Sequence, residues 1–287
     1  MANLKEIRSR ITSVGSTMQI TSAMKMVSAA KLKRAQDAIV QMRPYANKLT
    51  ELLENLSASL DSSDGGVYSQ KREIKNVLLV TVTSNRGLCG GFNAYIIKKA
   101  KDLLSNKYVD ANVRILSIGK KSSEHFRKSG FNVISSHDEL FSDLTFNNVA
   151  KVSEDIMEKF VMGDYDKVVL IYNQFKNAAT QIIMDENYLP IEATETEGAI
   201  IGDYLFEPTK QEIIEQLIPK SLKTQLFKAV LDSHAAEHGA RMTAMHKATD
   251  NASELKKELT LTYNKARQAA ITGEILEIVG GAEALNE

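Results

Sequence analysis

From Leu4 to Leu60 an apolar seam recurs at steps of alternately three and four residues: Leu4, Ile7, Ile11, Val14 and Met18, then Leu32, Ala35, Ile39, Met42, Ala46, Leu49, Leu53, Leu56 and Leu60. A heptad seam of this kind specifies a helix that packs along one line against a second helix. At about 1.5 Å per residue it would be about 85 Å long, more than a domain of this size can cover, so it must project into solvent or into a partner. Pro44 lies inside the pattern, and because the seam continues in register beyond it the sequence predicts a bend there and not a stop.

Three consecutive seam positions, Thr21, Lys25 and Ser28, are polar, whereas Met24, Met26 and Val27 lie off the seam. One reading is a polar layer that sets the register of a coiled coil. The other is a second protein packed against the displaced apolar face, with Lys25, Lys31, Lys33 and Arg34 meeting its acidic groups.

The last third, residues 209–287, reads as another very long helix, with Pro219 near its start and no proline afterwards. Its stripe runs through Leu222, Leu226, Val230, Leu231, Ala235, Met242, Met245, Ala252, Leu255, Leu259, Tyr263 and Ala266, and Gly239 and Gly273 are its weak points. Two such helices flanking a middle domain pair as an antiparallel coiled coil. About 77 residues against about 57 leave roughly 20 residues, about 30 Å, of the second helix beyond its partner. That excess carries Ile271, Ile275, Leu276, Ile278, Val279, Ala282 and Leu285. A tip apolar on so many faces folds back on itself or sits inside another protein.

Between the helices the pattern changes. A turn-rich stretch, Asp61 to Gly66, precedes the buried-strand run Asn76 to Thr83. A helix is expected over Asn93 to Asn106, a strand over Val113 to Ile118, a charged helix to Lys128, a strand over Phe131 to Ile134 and a helix over Asn147 to Met162. Strands over Lys167 to Tyr172 and Gln181 to Asp185 complete a mostly parallel sheet, so the fold class is α/β plus a long helical coiled coil, with a Rossmann-like central domain. The expected division is 1–60 N-terminal helix, 61–75 linker, 76–190 α/β domain, 191–208 acidic connector and 209–287 C-terminal helix.

Chemistry would be sought first at Ser84-Asn85-Arg86-Gly87-Leu88-Cys89-Gly90-Gly91-Phe92-Asn93, a Gly-rich loop after the first strand, where a nucleotide phosphate binds in folds of this class. Its spacing matches neither G-x-G-x-x-G nor a Walker loop, and no acidic ribose anchor follows at a suitable distance. A nucleotide-binding α/β enzyme with a helical-hairpin arm is the alternative function, and a coiled-coil scaffold self-associating through Leu49, Leu53 and Leu56 is a third. His234-Ala235-Ala236-Glu237-His238 matches the inverted zincin pattern H-x-x-E-H. It is expected on a projecting coiled-coil strand, with no cleft and no third ligand. His125, His137 and His246 show no triad spacing, so no catalytic, cofactor or metal residues are expected. Lys plus Arg and Asp plus Glu both number 36, which leaves no basic excess for a phosphate backbone, so nucleic acid is not an expected partner. The single Cys89 rules out an intramolecular disulfide. The start, Met1 to Glu6, resembles neither a signal nor a transit peptide, and the run from Asn76 to Asn85 is about half a membrane span, so a soluble, unexported chain is expected.

Several motifs resemble those of one family. They are Ile20 to Leu32 (ITSAMKMVSAAKL), Arg86 to Asn93 (RGLCGGFN), Asp203 to Pro208 (DYLFEP), Ala240 to Met245 (ARMTAM) with Ala248 to Ala252 (ATDNA), Tyr263 to Thr272 (YNKARQAAIT), and Glu274 to Ala282 (EILEIVGGA). In order and from end to end, they are similar to the gamma subunits of the rotary F-type ATP synthase. The resemblance implies a non-catalytic central shaft that couples proton-driven rotation of a membrane ring to ATP synthesis in a catalytic ring of alpha and beta subunits. It also implies a base against the c ring and the epsilon subunit, and no cofactor; with no transit peptide at the start, peripheral attachment at the cytoplasmic face of a bacterial inner membrane is the simplest expectation, with a processed mitochondrial chain as the alternative. By the same likeness, Met24 and Lys25 would touch a beta subunit, and Arg241, Gln268, Thr272 and Glu274 would make polar contacts with loops of the catalytic subunits. Ile275, Ile278 and Val279 would lie in the bearing, and Tyr204 and Glu207 would face the rotor ring. Ala236 and Gly239 depart from the Ser and Ala that the family pattern leads one to expect, and Gly239 should loosen one helical turn. The Cys-bearing insert of the chloroplast branch is missing, so thiol regulation of that kind is not expected.

Overall fold

The computed structural model describes residues 4–58, 67–70, 72–191 and 210–284. Its long helices are α1 (Leu4–Ala58) and α5 (Lys210–Ala284), of 55 and 75 residues. Between them lie β1 (Asn76–Val82), α2 (Phe92–Asp102), β2 (Asn112–Ile118), α3 (Lys120–Lys128), β3 (Val133–Ser136), α4 (Phe146–Met162), β4 (Lys167–Phe175) and β5 (Gln181–Leu189). The long helices run on through Pro44 and Pro219. Ile39 before Pro44 and Ala46 and Leu49 after it are all buried, so the seam holds its register across the proline.

Two compact units can be separated, Met1–Val27 with Met242–Glu287 and Ser28–Arg241. In the first, α1 and α5 pair antiparallel. Thr21 Oγ1 meets Thr249 Oγ1 at 2.8 Å, and Lys25 Nζ lies 3.5 Å from His246 Nδ1. Gly15 leaves room for the Lys256 side chain, whose Nζ would be 3.7 Å from a Cβ placed there. The paired residue numbers sum to 270 or 271 at all three contacts, so Leu4 lies level with about residue 267. On α5 the inward positions are Met245, Thr249, Ala252, Lys256, Leu259, Tyr263 and Ala266, all buried or half-buried. Leu255, expected in the stripe, points outward. Alternating steps of four and three from Met245 reach Lys256 instead, and the end of its half-buried side chain, Nζ and Cε, lies over Gly15.

The second unit is a three-layer sandwich. Its sheet order is β3-β2-β1-β4-β5, with β3, β2, β1 and β4 parallel and β5 antiparallel to β4. The five residues 176–180 between β4 and β5 are too few for a crossover, and this forces a hairpin. Alternation along β1 divides the core. Leu78, Val80 and Val82 face Val149, Ile156 and Phe160 of α4 and Leu222, Leu226 and Val230 of α5. Val77 and Leu79 face Ile96 and Ala100 of α2 and Phe126 of α3. Gly119, at φ +103°, joins β2 to α3 where any Cβ would strike the Thr83 carbonyl oxygen, so the ends of β1 and β2 are locked together.

Boundaries moved in three places. The third strand begins at Val133, because the Phe131 amide donates to the Phe126 carbonyl at the end of α3 and the two rings pack edge to face. The first domain helix ends at Asp102 and widens into a π turn over Leu103–Lys107, where the Tyr108 amide donates to the Leu103 carbonyl. The hairpin strands extend to Phe175 and Leu189.

Candidate functional site

In a doubly wound sheet, ligands bind beyond the carboxyl ends of the strands where the strand order reverses. Here that point lies at β1, flanked by β2 on one side and β4 on the other. The Gly-rich loop stands over it and is tied to itself. Ser84 N donates to Asn93 Oδ1 (2.9 Å), Ser84 Oγ donates to the Arg86 carbonyl (2.6 Å), and Asn93 Nδ2 donates to Ser84 Oγ (2.8 Å). Leu88 adopts φ +62° and is 65% exposed, whereas Cys89 and Phe92 point inward. Burial raises the pKa of the Cys89 thiol, which keeps it protonated and unreactive.

The crevice is occupied by α5. Ala236 and Ala240 pack on Cys89 and Phe92, with Phe175 against the same cluster. Arg241 Nη2 donates to the carbonyls of Arg86 (3.0 Å) and Gly87 (3.3 Å). A phosphate loop aims N–H groups at an anion, whereas this loop aims carbonyl oxygens at a cation. The position that a nucleotide would take therefore belongs to the chain's own helix.

The H-x-x-E-H motif lies in this wedge, which corrects the expectation of a projecting strand. Glu237 and His238 are buried, and His234 stacks on Phe141 with ring centroids 5.8 Å apart. The motif falls here because Leu226, Val230, Ala235 and Ala236 carry α5 across the sheet with its whole circumference covered. Arg241 Nη1 donates to Glu237 Oε1 at 2.5 Å and approaches His238 Nδ1 at 3.5 Å. A guanidinium can only donate, so His238 Nδ1 accepts and its Nε2–H is shared with His234 Nε2, 3.1 Å away. Burial is the largest cause that lowers both imidazoles, His234 to about 4 and His238 to about 3, and the cations Lys31 and Arg241 add to it. Burial also raises Glu237 against the opposing pull of Arg241. Two cations beside the imidazoles repel a divalent ion, and the one carboxylate is committed to Arg241. Among the described residues no three potential ligands come together.

Gly239 has a different role from the one expected. A Cβ there would lie 3.2 Å from Ala178 Cα and 3.3 Å from its carbonyl oxygen, so the missing side chain lets the β4–β5 turn close on α5. That turn is stiff, since Asn177 Oδ1 accepts from the amides of Ala179 and Thr180. Replacing a helical Gly by Ala gains about 1 kcal/mol, whereas overpacking costs about 1–3 kcal/mol. Gly239→Ala is therefore expected to lower stability by about 1 kcal/mol, read from the urea midpoint; a rise would show that the turn yields.

A second candidate site lies in the first unit. Leu4 is level with about residue 267, and from Arg267 to Ala282 every residue except Gly273 is exposed. Ile271, Ile275, Leu276, Ile278 and Val279 are among them, Ile278 at 71%. Gln268, Thr272 and Glu274 are exposed too, and Thr272 Oγ1 donates to the Gln268 carbonyl within the helix (2.9 Å). Opposite the polar layer, Ile20, Met26 and Val27 form an exposed apolar collar, with Met24 and Lys25 half-buried beside it. Thr21 and Lys25 face inward, in keeping with a register-setting layer, while the collar leaves an apolar face uncovered. Ile20 and Leu261 are exposed apolar residues that the sequence reading did not single out. Arg241 is 7% exposed, and its Nη1 and Nη2 are bonded within its own chain to Glu237 and to the carbonyls of Arg86 and Gly87. Tyr204 and Glu207 lie outside the described residues.

A family model described as ATP synthase matches residues 3–285. Proteins named ATP synthase gamma chain are 64% identical over 287 residues in Flavobacterium johnsoniae and 54% identical over 294 residues in Cytophaga hutchinsonii, each comparison covering 100% of both chains. A chain of the Tetrahymena thermophila mitochondrial ATP synthase, from its central stalk and c-ring structure, is 25% identical with a TM-score of 0.61, over 80% of this chain and 99% of that one. A chain of the Euglena gracilis mitochondrial enzyme shares the fold at 22% identity and a TM-score of 0.71, over 98% and 94%. With the motifs matched along its whole length, the chain belongs to the ATP synthase gamma chain family.

Proposed function

We propose that this chain is the central rotor shaft of an F-type ATP synthase, and the observation that carries the reading is the apolar overhang of α5, uncovered in the chain alone. The gamma-chain relatives and the central-stalk likeness support it. Its partners are the alpha and beta subunits around the helices, and the epsilon subunit and c ring at the base. Ile275, Ile278 and Val279 then sit in an apolar bearing, Gln268, Thr272 and Glu274 face catalytic-ring loops, and the Met24 and Lys25 region faces a beta subunit. Tyr204 and Glu207 are assigned to the base by family likeness alone. The chain belongs with a membrane-associated complex, and we place it on the cytoplasmic face of the inner membrane. Among the described residues no helix is long and apolar enough to cross a membrane.

The mechanism needs no catalytic group on this chain. A shaft of two unlike helices presents a different face to each surrounding subunit at every angle. Each angle favours a different conformation of each nucleotide site, by as much as the contact free energies differ. Torque is the mechanical form of that coupling, and the same contacts run the machine in either direction. Pull-down of the tagged chain from native membranes in mild detergent is expected to recover an active ring of ATPase subunits. Recovery of the chain alone from the soluble fraction would overturn the assignment.

A further inference from the structure

We infer that Arg241 is a positioning residue that keys the rotation of α5 about its own axis to the α/β layer, so that torque passes between shaft helix and base through this residue. The inference rests on the rotor reading. Along residues 222–230, α5 lies on the sheet through Leu222, Leu226 and Val230. Apolar contact is non-directional, and the polar ties of that stretch all lie at its start: Tyr188 Oη donates to the Leu222 carbonyl (3.1 Å), Lys223 Nζ meets Glu154 (2.5 Å) and Gln225 Nε2 donates to the Asn187 carbonyl (3.4 Å). Arg241 is different in kind. Its guanidinium is buried, held from its own helix by Glu237 one turn back, and directed at two successive carbonyls of the 84–93 loop. That loop is braced on the end of β1 through Ser84 and Asn93 and holds Leu88 in a left-handed conformation, so it is a shaped socket and not a slack connection. A continuous directional path therefore runs from β1 through the loop and Arg241 into α5.

Stability alone does not call for this arrangement. A buried ion pair is commonly matched or bettered by apolar residues of similar volume, and its best-attested use is to fix register. Charge-assisted bonds to two fixed acceptors define an angle that methyl groups cannot define.

The test uses assembled complexes reconstituted in vesicles, with protons pumped per ATP hydrolysed as the main readout. Arg241→Met leaves Glu237 buried and unpaired, so the double variant Glu237→Gln/Arg241→Met is made as well. The coupling ratio is expected to fall at least threefold in both, with Arg241→Lys in between because an ammonium reaches one carbonyl but cannot span the fork. Hydrogen exchange on the chain itself is expected to speed up at least tenfold at the 87–90 loop amides, and this reads the clamp whether or not the rotor reading holds. A coupling ratio unchanged in the double variant overturns the inference and leaves the rotor reading intact. So does a loss of hydrolysis in strict proportion to pumping, which would place Arg241 in contact with the catalytic ring. Unchanged loop exchange overturns it as well.

Discussion

Acidification from pH 7.5 to pH 5 is expected to destabilise the chain by about 2–3 kcal/mol, and His234→Gln/His238→Gln to abolish that loss. The folded pair is held neutral by burial, with values near 4 and 3, so at pH 5 it binds few protons. The unfolded chain, with imidazoles at their ordinary 6.5, binds nearly two. Each histidine therefore lowers stability by about 2 kcal/mol over this interval, the contribution being intact above pH 6.5 and falling away as the pH drops. Asp232 acts in the opposite direction. It is buried with Oδ1 lacking a hydrogen-bond partner, 4.0 Å from Arg43, and burial raises it to about 6 from 3.8. The folded state consequently takes up a proton before the unfolded one as the pH falls below about 6, and this returns about 1.4 kcal/mol by pH 5. Glu237, also raised, adds to the return. Histidine wins because two groups are displaced further than one carboxylate. Urea midpoints at pH 7.5, 6.5, 5.5 and 5 check the balance: wild type should weaken steadily, and the double variant should gain about 1.4 kcal/mol or more by pH 5. Parallel pH profiles for the two proteins would show that the pair is not held neutral.

The long helices and the α/β layer were legible because their signals are periodic. A seam kept over many heptads has one structural solution, and the run from Val77 to Val82 can be only a strand buried on both faces. The overhang followed from length alone. The inner site was less legible, for physical reasons that particular residues make clear. His234, Glu237 and His238 read as a metal motif because spacing along a helix does not show what covers the helix, and their cover comes from Phe141, Lys31 and Arg241. Arg241 reads as a surface charge in any sequence, since its acceptors are backbone carbonyls 154 and 155 residues away that carry no sequence signal. Gly239 reads as a defect until Ala178 is seen against it. Leu255 had a visible warning, because the seam counted from Met245 passes through Lys256 and Gly15 stands opposite to admit it.

Removal of the overhang is expected to impair coupling far more than any single polar substitution within it. Thr272 spends its hydroxyl on the Gln268 carbonyl of its own helix and is exposed, so Thr272→Ala removes a contact worth at most about 1 kcal/mol. Truncation after Ala270 removes residues 271–287, including Ile271, Ile275, Leu276, Ile278 and Val279. At about 1.5–3 kcal/mol for each such side chain fully buried, the bearing contact is worth on the order of 10 kcal/mol. Only the part of this energy that differs between angular positions transmits torque. A tenth of it already corresponds to about fivefold in an equilibrium constant. ATP synthesis by membrane vesicles is accordingly expected to drop about tenfold on truncation and less than twofold for Thr272→Ala. If the two lost equal activity, the coupling would lie in one hydrogen bond at the rim and not in the apolar tip. If truncation cost nothing, the shaft would deliver its torque through the collar at Ile20, Met26 and Val27, and substitution of Met26 by a charged residue would then take over as the deciding experiment.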